Sequence, residues 1–300
     1  DLVISEFVLM THQFAPEFGR ASGGVLNLVT ERGTNELGML GFAQGTPRAL
    51  SSSGALVDSL PDTSEVPDQS SHWSAGMKWG GPFQKDKSFW FAAYEHQEDS
   101  TVVPYTGYTA DGVAGGRFGA QSTDDNAFFR ADFNIDPSNT LMMRLSYDNR
   151  SSAGINVGGI STPEWGFSLD ESDVQFGAGL TTVIDPSLIC ETRILLSGSS
   201  LSQQSNSTLT GVEHPSGQFG GNNLSRQERD ASVFQLVQNL TWVKGNHTAK
   251  FGYDVTPSRT KVGARFNANG NFIYRTDVPF KPGDDGGITF GDLPLRCSKD

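Results

Sequence analysis

Asn126-Ala-Phe-Phe-Arg-Ala-Asp-Phe-Asn-Ile135, the turn Asp136-Pro-Ser138, and then Asn139-Thr-Leu-Met-Met-Arg-Leu-Ser-Tyr-Asp148 decide the architecture. In an extended chain successive side chains point to opposite faces. Ala127, Phe129, Ala131, Phe133 and Ile135 therefore share one face, and Asn126, Phe128, Arg130, Asp132 and Asn134 share the other. After the turn, Leu141, Met143, Leu145 and Tyr147 alternate with Met142, Arg144, Ser146 and Asp148. Two such runs around a short Pro-containing turn predict an antiparallel hairpin with one apolar and one polar face. The pattern recurs at Asp185-Pro-Ser187, which follows the stripe Val174, Phe176, Ala178, Leu180, Thr182 and Ile184. It recurs again over Trp73–Trp79 and Ala249–Val255, and more weakly near 36–44, 88–97, 188–199, 231–243 and 270–276.

The connections are as informative as the strands. Pro82–Lys87, Asp136-Pro-Ser, Asp185-Pro-Ser and Lys244-Gly-Asn read as tight turns, because Pro, Gly, Asp and Asn supply the required backbone angles or local hydrogen bonds. Between them lie long polar stretches at about 46–71, 99–122, 150–171 and 201–229, with a shorter one near 260–269. Short and long connections alternate, so an antiparallel meander gathers every turn at one end and every loop at the other. Alternation by itself fits two architectures, a sandwich that buries its apolar faces and a barrel that turns them to lipid. Three features favour the barrel. The strands approach the ~9–11 residues that a tilted membrane strand needs. Trp73, Trp79, Tyr147, Trp242 and Tyr253 sit towards strand ends, where an interfacial girdle is expected. The long loops all lie on one side. The fold class is thus all-β, a partial antiparallel transmembrane β-barrel of about ten strands.

Composition narrows the function. Over 300 residues, 34 acidic and 22 basic side chains leave a formal charge of −12, which opposes nucleic-acid binding. The 35 glycines and 20 phenylalanines suit neither a Leu-rich helical enzyme nor a disordered tail. Cys190 and Cys297 form no Cys-x-x-Cys element, leaving two free thiols or one long-range disulfide. His12, His72, His96, His214 and His247 are scattered, with no pair at metal-ligand spacing. No Gly-x-Ser-x-Gly nucleophile elbow occurs, so a non-enzyme without cofactor or metal is expected. The acidic turn at 281–287 reads as solvated rather than calcium-binding, and Asn206 and Asn239 carry acceptor sequons that a bacterial source would leave unused. The opening residues Asp1–Met10 are strand-like and carry no signal-peptide pattern, so the chain reads as an internal piece of something longer.

Three segments, in chain order, resemble the Oar-like branch of TonB-dependent outer-membrane receptors. Glu17-Phe-Gly-Arg-Ala-Ser-Gly-Gly-Val-Leu-Asn-Leu-Val-Thr-Glu-Arg-Gly-Thr-Asn-Glu36 resembles the end of that family's plug domain. Gly80-Gly-Pro-Phe-Gln-Lys-Asp-Lys-Ser-Phe-Trp-Phe-Ala-Ala-Tyr-Glu95 and Gly245-Asn-His-Thr-Ala-Lys-Phe-Gly-Tyr-Asp254 resemble two of its barrel segments. Departures are small: Glu31-Arg32 stands where a Lys-Ser pair is more usual, and Gly38 replaces a small His-Gly element. The resemblance implies the end of a plug at 1–35 and the N-terminal half of a barrel at 36–300. The plug motif carries over to Gly19, Arg20, Gly23, Gly24, Asn27 and Thr30. It further implies a bacterial cell outer-membrane location, lipid around the barrel, the TonB-ExbB-ExbD energising complex as partner, and uptake of a large or scarce substrate (carbohydrate, peptide or siderophore).

A plug inside the barrel must meet the charged inner wall: Arg130, Asp132, Arg144, Asp148, Glu191, Arg193, Lys250 and Asp254 all fall on the polar face. Arg20 is expected either to reach Glu95, Asp132 or Glu191, or to lie solvated in the gap. Tyr105, Tyr108, Trp165 and Phe219 are the loop residues expected to touch an extracellular ligand. The rival reading is a surface β-sandwich adhesin, which would bury Phe129, Leu145 and Phe251 between two stacked sheets.

Overall fold

Each alternating run becomes a strand that pairs with its chain neighbour. The computed structural model describes residues 2–11, 23–60, 66, 69–108, 114–222, 226–274, 277 and 296–298. A separate hairpin comes first, with β1 (Ile4–Met10) antiparallel to β2 (Val25–Thr30). Then follow β3 (Gly38–Thr46), β4 (Ser71–Gln84), β5 (Ser88–Tyr108), β6 (Ala114–Asp136), β7 (Asn139–Ile155), β8 (Phe167–Asp185) and β9 (Leu188–Ser205). The short β10 (Gly211–His214) and β11 (Gly217–Phe219) interrupt the series before β12 (Arg226–Lys244), β13 (His247–Val255) and β14 (Ser258–Arg265). β3 to β9 and β12 to β14 make a 10-stranded antiparallel sheet in chain order. β13 and β14 both pair with β12, on either side of a break at Thr256-Pro257, where proline cannot donate to the ladder. β10 and β11 form a smaller sheet with β15 (Asn271–Ile273) and β16 (Arg296–Ser298). No helix among the described residues is long and apolar enough to cross a membrane.

Register shows how the two faces are used. Ala75, His96, Asp125, Asn149, Ser172, Ser200 and Asp230 lie in one row across seven strands. Two residues nearer the short turns the same face carries Met77, Tyr94, Ala127, Tyr147 and Val174, and two further on Trp79, Ala92, Phe129, Leu145, Phe176, Leu196 and Phe234. The next row holds Ala131, Met143, Ala178, Ile194, Leu236 and Val255. The three rows below the first contain no charge. Phe129 is 41 %, Leu145 45 % and Phe251 62 % exposed, and among the described residues no second sheet covers them. A sandwich is therefore excluded, since it exists to bury such a face.

The strands also cross at a slant. Eight residues separate His96 from the turn residue Ser88, whereas fourteen separate Asp230 from Lys244, five strands along. At ~3.3 Å per residue and ~4.8 Å per strand, that drift is a tilt of about 40°, within the range for membrane barrels. Along β4, the ten steps from Trp73 to Phe83 then span about 25 Å of height, the usual thickness of a lipid-facing band. Aromatic groups mark both rims: Trp73, Tyr94 and Tyr147 towards the loops, and Phe83, Trp90, Phe133 and Trp242 towards the turns. Trp79 and Tyr253, expected in a girdle, instead lie midway down the band, because the slant moves the rims by about one residue per strand. Within the band the polar Thr192, Gln238 and Cys190 satisfy one another: Thr192 Oγ1 donates to Gln238 Oε1 (2.8 Å), and Gln238 Nε2 donates to the free thiol of Cys190 (2.9 Å).

Strand length is the main correction. The expected ten residues become 14 to 23 in β4 to β9 and β12. Ladder pairing continues past the apolar band through rungs such as Asp99–Ser122 and Thr101–Ala120, where water meets both faces and no alternation is required. The stretch 99–122 is thus mostly strand, 260–265 belongs to β14, and the other expected loops shorten to 47–70, 156–166 and 206–225.

Candidate functional site

The N-terminal hairpin lies on the polar face of the sheet, which is therefore the inner one. Leu2 is buried against Phe91 and Ala93, with Val3, Phe42 and Phe128 around them. Gly76 makes room for it: a Cβ there would come within 2.8 Å of Leu2 Cδ1. These aromatics stand on the otherwise polar face, at the spot the hairpin covers. Beside them Arg130 makes a four-bond junction. Its Nε and Nη2 hold Asp132 (2.9 and 2.8 Å), while Nη1 donates to the Thr30 carbonyl (2.8 Å) and to Thr30 Oγ1 (2.9 Å). Lys78 Nζ pairs with Glu31 at 2.5 Å. Charge-assisted bonds of this kind, shielded from bulk water, are worth about 1.5–3 kcal/mol each.

From Thr30 the chain runs directly into the first wall strand, and four residues fix its path. Gly33 rests on the backbone of Trp90, where any Cβ would fall 2.2 Å from the carbonyl oxygen. Glycine is the residue that allows this approach. Asn35 and Asp86 then exchange bonds: Asn35 Nδ2 donates to Asp86 Oδ1 (2.6 Å), and the Asp86 N–H donates to Asn35 Oδ1 (2.8 Å). Asp86 has a positive φ of 65°, an angle that Asp tolerates better than most residues, at the tip of the β4–β5 turn.

Above the hairpin the inner wall is acidic. Glu95, Asn126, Asp148 and Asp173 share one row, with the two aspartates directly opposed. The next row towards the loops holds Gln97, Asp124, Arg150 and Glu171, in which Arg150 grips Asp124 (2.8–2.9 Å). Among the described residues no cluster of His, Cys, Asp and Glu could hold a metal ion.

At the loop end three segments interlock. The Tyr105 backbone bridges to Gly159, Ser161 Oγ donates to Gln218 Oε1 (2.6 Å), and Asn222 Nδ2 donates to the Trp165 carbonyl (2.8 Å). His214 stacks on Tyr274 and Phe219, with ring centroids 4.7 and 6.1 Å away. The ionised form of Asp277 is favoured by the Ser216 hydroxyl and N–H, which hold its pKa below the ordinary carboxylate value.

The residues expected from sequence are distributed as follows. Gly19 and Arg20 lie outside the described residues, as does the acidic turn 281–287. Gly23, Gly24, Asn27 and Thr30 belong to the hairpin, and Thr30 alone of these meets the wall through a hydrogen bond to Arg130. Glu95, Asp132 and Glu191 share the inner face but sit on β5, β6 and β9 at different heights, and Asp132 is held by Arg130. Tyr105 and Phe219 are half-buried at the loop end, Trp165 is only 3 % exposed beneath the loops, and Tyr108 closes β5. Sequence reasoning placed Arg130 on the inner face but not its partner Thr30, and it did not foresee Lys78–Glu31 or Asn35–Asp86. Thr30, Glu31, Asn35 and Asp86 stand inside the quoted motifs, which is the available signal, whereas Arg130 and Lys78 stand outside them.

Residues 110–292, more than half of the chain, match the family described as outer membrane beta barrel domain. The chain belongs to that family. Its place is accordingly the outer membrane, with the apolar face to lipid, the short turns periplasmic and the long loops extracellular. The barrel chain is similar to the TonB-dependent transporter Oar of Myxococcus xanthus, 29 % identical over 137 residues, covering 37 % of this chain and 12 % of that protein. Among solved structures it resembles the outer-membrane transporter YddB of Escherichia coli, with a TM-score of 0.67 and 14 % identity over 91 % of this chain and 37 % of that one, a likeness of fold. The chain thus spans well under half the length of either relative.

Proposed function

We propose that this barrel segment belongs to a TonB-dependent transporter, with residues 1–35 the end of its plug and 36–300 the first half of its wall. The carrying observation is the hairpin bound to the inner face by Arg130–Thr30 and Lys78–Glu31 and continuous with the first wall strand. A passive pore needs an open lumen, whereas a segment anchored inside the barrel supports a gated one. In this reading substrate meets the extracellular loops and the acidic wall, and the TonB-ExbB-ExbD complex draws on the upstream part of the plug. The anchored end stays with the wall while the channel opens. No bond of the substrate is made or broken. An acidic wall disfavours anionic cargo and suits neutral or cationic solutes, so carbohydrates and peptides fit better than anionic chelates.

The test is growth of isogenic strains, with and without the intact protein that carries this segment, on oligosaccharides, oligopeptides or ferric siderophores as the limiting nutrient. A benefit that disappears when TonB is deleted is the expected result. A benefit that survives TonB deletion would show a passive pore instead.

A further inference from the structure

The inner face of β7 and β8 changes character with height. Towards the loops, Asp148 and Asp173 stand directly opposed. Their row also holds Glu95, Asn126 and Ser199, and no cation. The row above it is balanced, with Arg150 and Arg229 against Asp124 and Glu171. Below the aspartates come Ser146 and Gln175, a hydroxyl beside an amide. Below these, Arg144 lies across Gly177, where a Cβ would come 3.0 Å from Arg144 Nε. The row of Arg144 runs through Phe91, Arg130, Leu195 and Gln235 without a carboxylate, and the Arg130 charge is already met by Asp132. Among the described residues the side chains of Asp148, Asp173 and Arg144 make no hydrogen bond and no ion pair. Like charges directly opposed across a ladder destabilise it, so the aspartate pair gains from a cation set between its two carboxylates.

We infer that this strip of wall binds a short oligopeptide with free ends, its ammonium between Asp148 and Asp173 and its carboxylate on Arg144. The four steps from Asp148 to Arg144 cover about 13 Å of strand at ~3.3 Å each, a length that an extended peptide of roughly three to five residues spans. Ser146 and Gln175 face its middle, where peptide N–H and C=O groups need partners. Arginine suits the inner end, because its planar fork receives a carboxylate through two parallel bonds. The peptide therefore lies with its C-terminus towards the periplasm. A neutral oligosaccharide offers nothing to either end of the strip, and an anionic chelate is repelled by the upper one. As a step in uptake the site deepens the transport reading and rests on it, but the binding itself needs no TonB, so the two can fail separately.

The test is isothermal titration of the intact protein carrying this segment, in nonionic detergent at neutral pH, with tetra-alanine and with its N-acetyl, C-amide and doubly blocked forms. Wild type is expected to bind the free peptide about tenfold more tightly than either singly blocked form. The variant D148N/D173N should remove the penalty for acetylation and keep that for amidation, and Arg144→Gln should do the opposite. Equal affinity of wild type for the free and doubly blocked peptides overturns the proposal, whatever TonB-dependent growth shows. So does a variant that weakens all four forms alike, since its residues would then seat another part of the protein and not the ends of a peptide. The end-specific pattern without TonB-dependent growth would uphold the peptide site and remove the transport reading instead.

Discussion

The periplasmic turns and the extracellular loops close the same strands in opposite ways. At the turn end each unit is self-contained. Asp136 accepts the Ser138 N–H (2.8 Å) and Asp185 accepts the Ser187 N–H (2.7 Å), so two Asp-Pro-Ser turns repeat one local design. At the loop end the bonds are long-range: Ser161 to Gln218 and Asn222 to Trp165 each join residues 57 apart, and Asn271 to Glu213 joins residues 58 apart. Closing such loops costs more chain entropy than closing a turn, and each contact makes the next less costly. The comparison teaches that the turns behave as separate units, whereas the loops hold or release together.

The largest effect that would break this comparison is at Trp165, 3 % exposed and central to the loop assembly. Trp165→Ala is expected to cost about 3–5 kcal/mol of local stability. Hydrogen exchange should show protection lost together over 156–166, 206–222 and 271–274, with the turns unchanged. Loss confined to 156–166 would mean that the loops are independent after all. Next in size is Arg130→Met, which frees Thr30 and leaves the Asp132 carboxylate without its cation at 19 % side-chain exposure. Removing one partner of a shielded pair costs more than the pair contributes, here about 2 kcal/mol. The hairpin should become open to protease near 25–35 while the wall stays resistant, and the double variant R130M/D132N should recover part of the loss. If single and double variants were equally cleaved, the Thr30 bonds and not the orphaned carboxylate would carry the effect.

The same division governs what could be read from sequence. Strand number, face assignment and turn positions were legible because each depends on residues within about ten positions of one another: Asn126–Ile135 displays its two faces in its own letters. The upper halves of β5 and β6 were not legible, because beyond the lipid band Asp99 or Gln121 satisfies either face of a strand and looks like loop. Phe128 stands among polar residues in the alternation of its strand, and only the fold shows that it packs against Leu2 and Phe91. Nothing near position 130 in the chain names Thr30, a hundred residues earlier, as its partner. Asn35 and Asp86 were visible as motif letters, but their reciprocal bond exists only once β3, β4 and β5 bring the turn back beneath the hairpin.

The smallest expected effect sharpens the claim that the turns are independent. The Asn139 amide and then the Ser138 N–H lower the pKa of Asp136, and the Ser187 hydroxyl and then its N–H do the same for Asp185. A carboxylate whose folded pKa is depressed contributes stability above its unfolded value, near 3.8, and that contribution is lost as pH falls through the lower folded value. Amide protection at Ser138 and Ser187 should therefore be flat from neutral pH down to about pH 5 and decline only below the ordinary Asp value. Asp136→Asn keeps an acceptor oxygen but removes the titration. It should flatten the pH response at Ser138 and leave that of Ser187 untouched. A change at Ser187 in the same variant would show that neighbouring hairpins communicate through the sheet, and the contrast between separate turns and joined loops would then be one of degree.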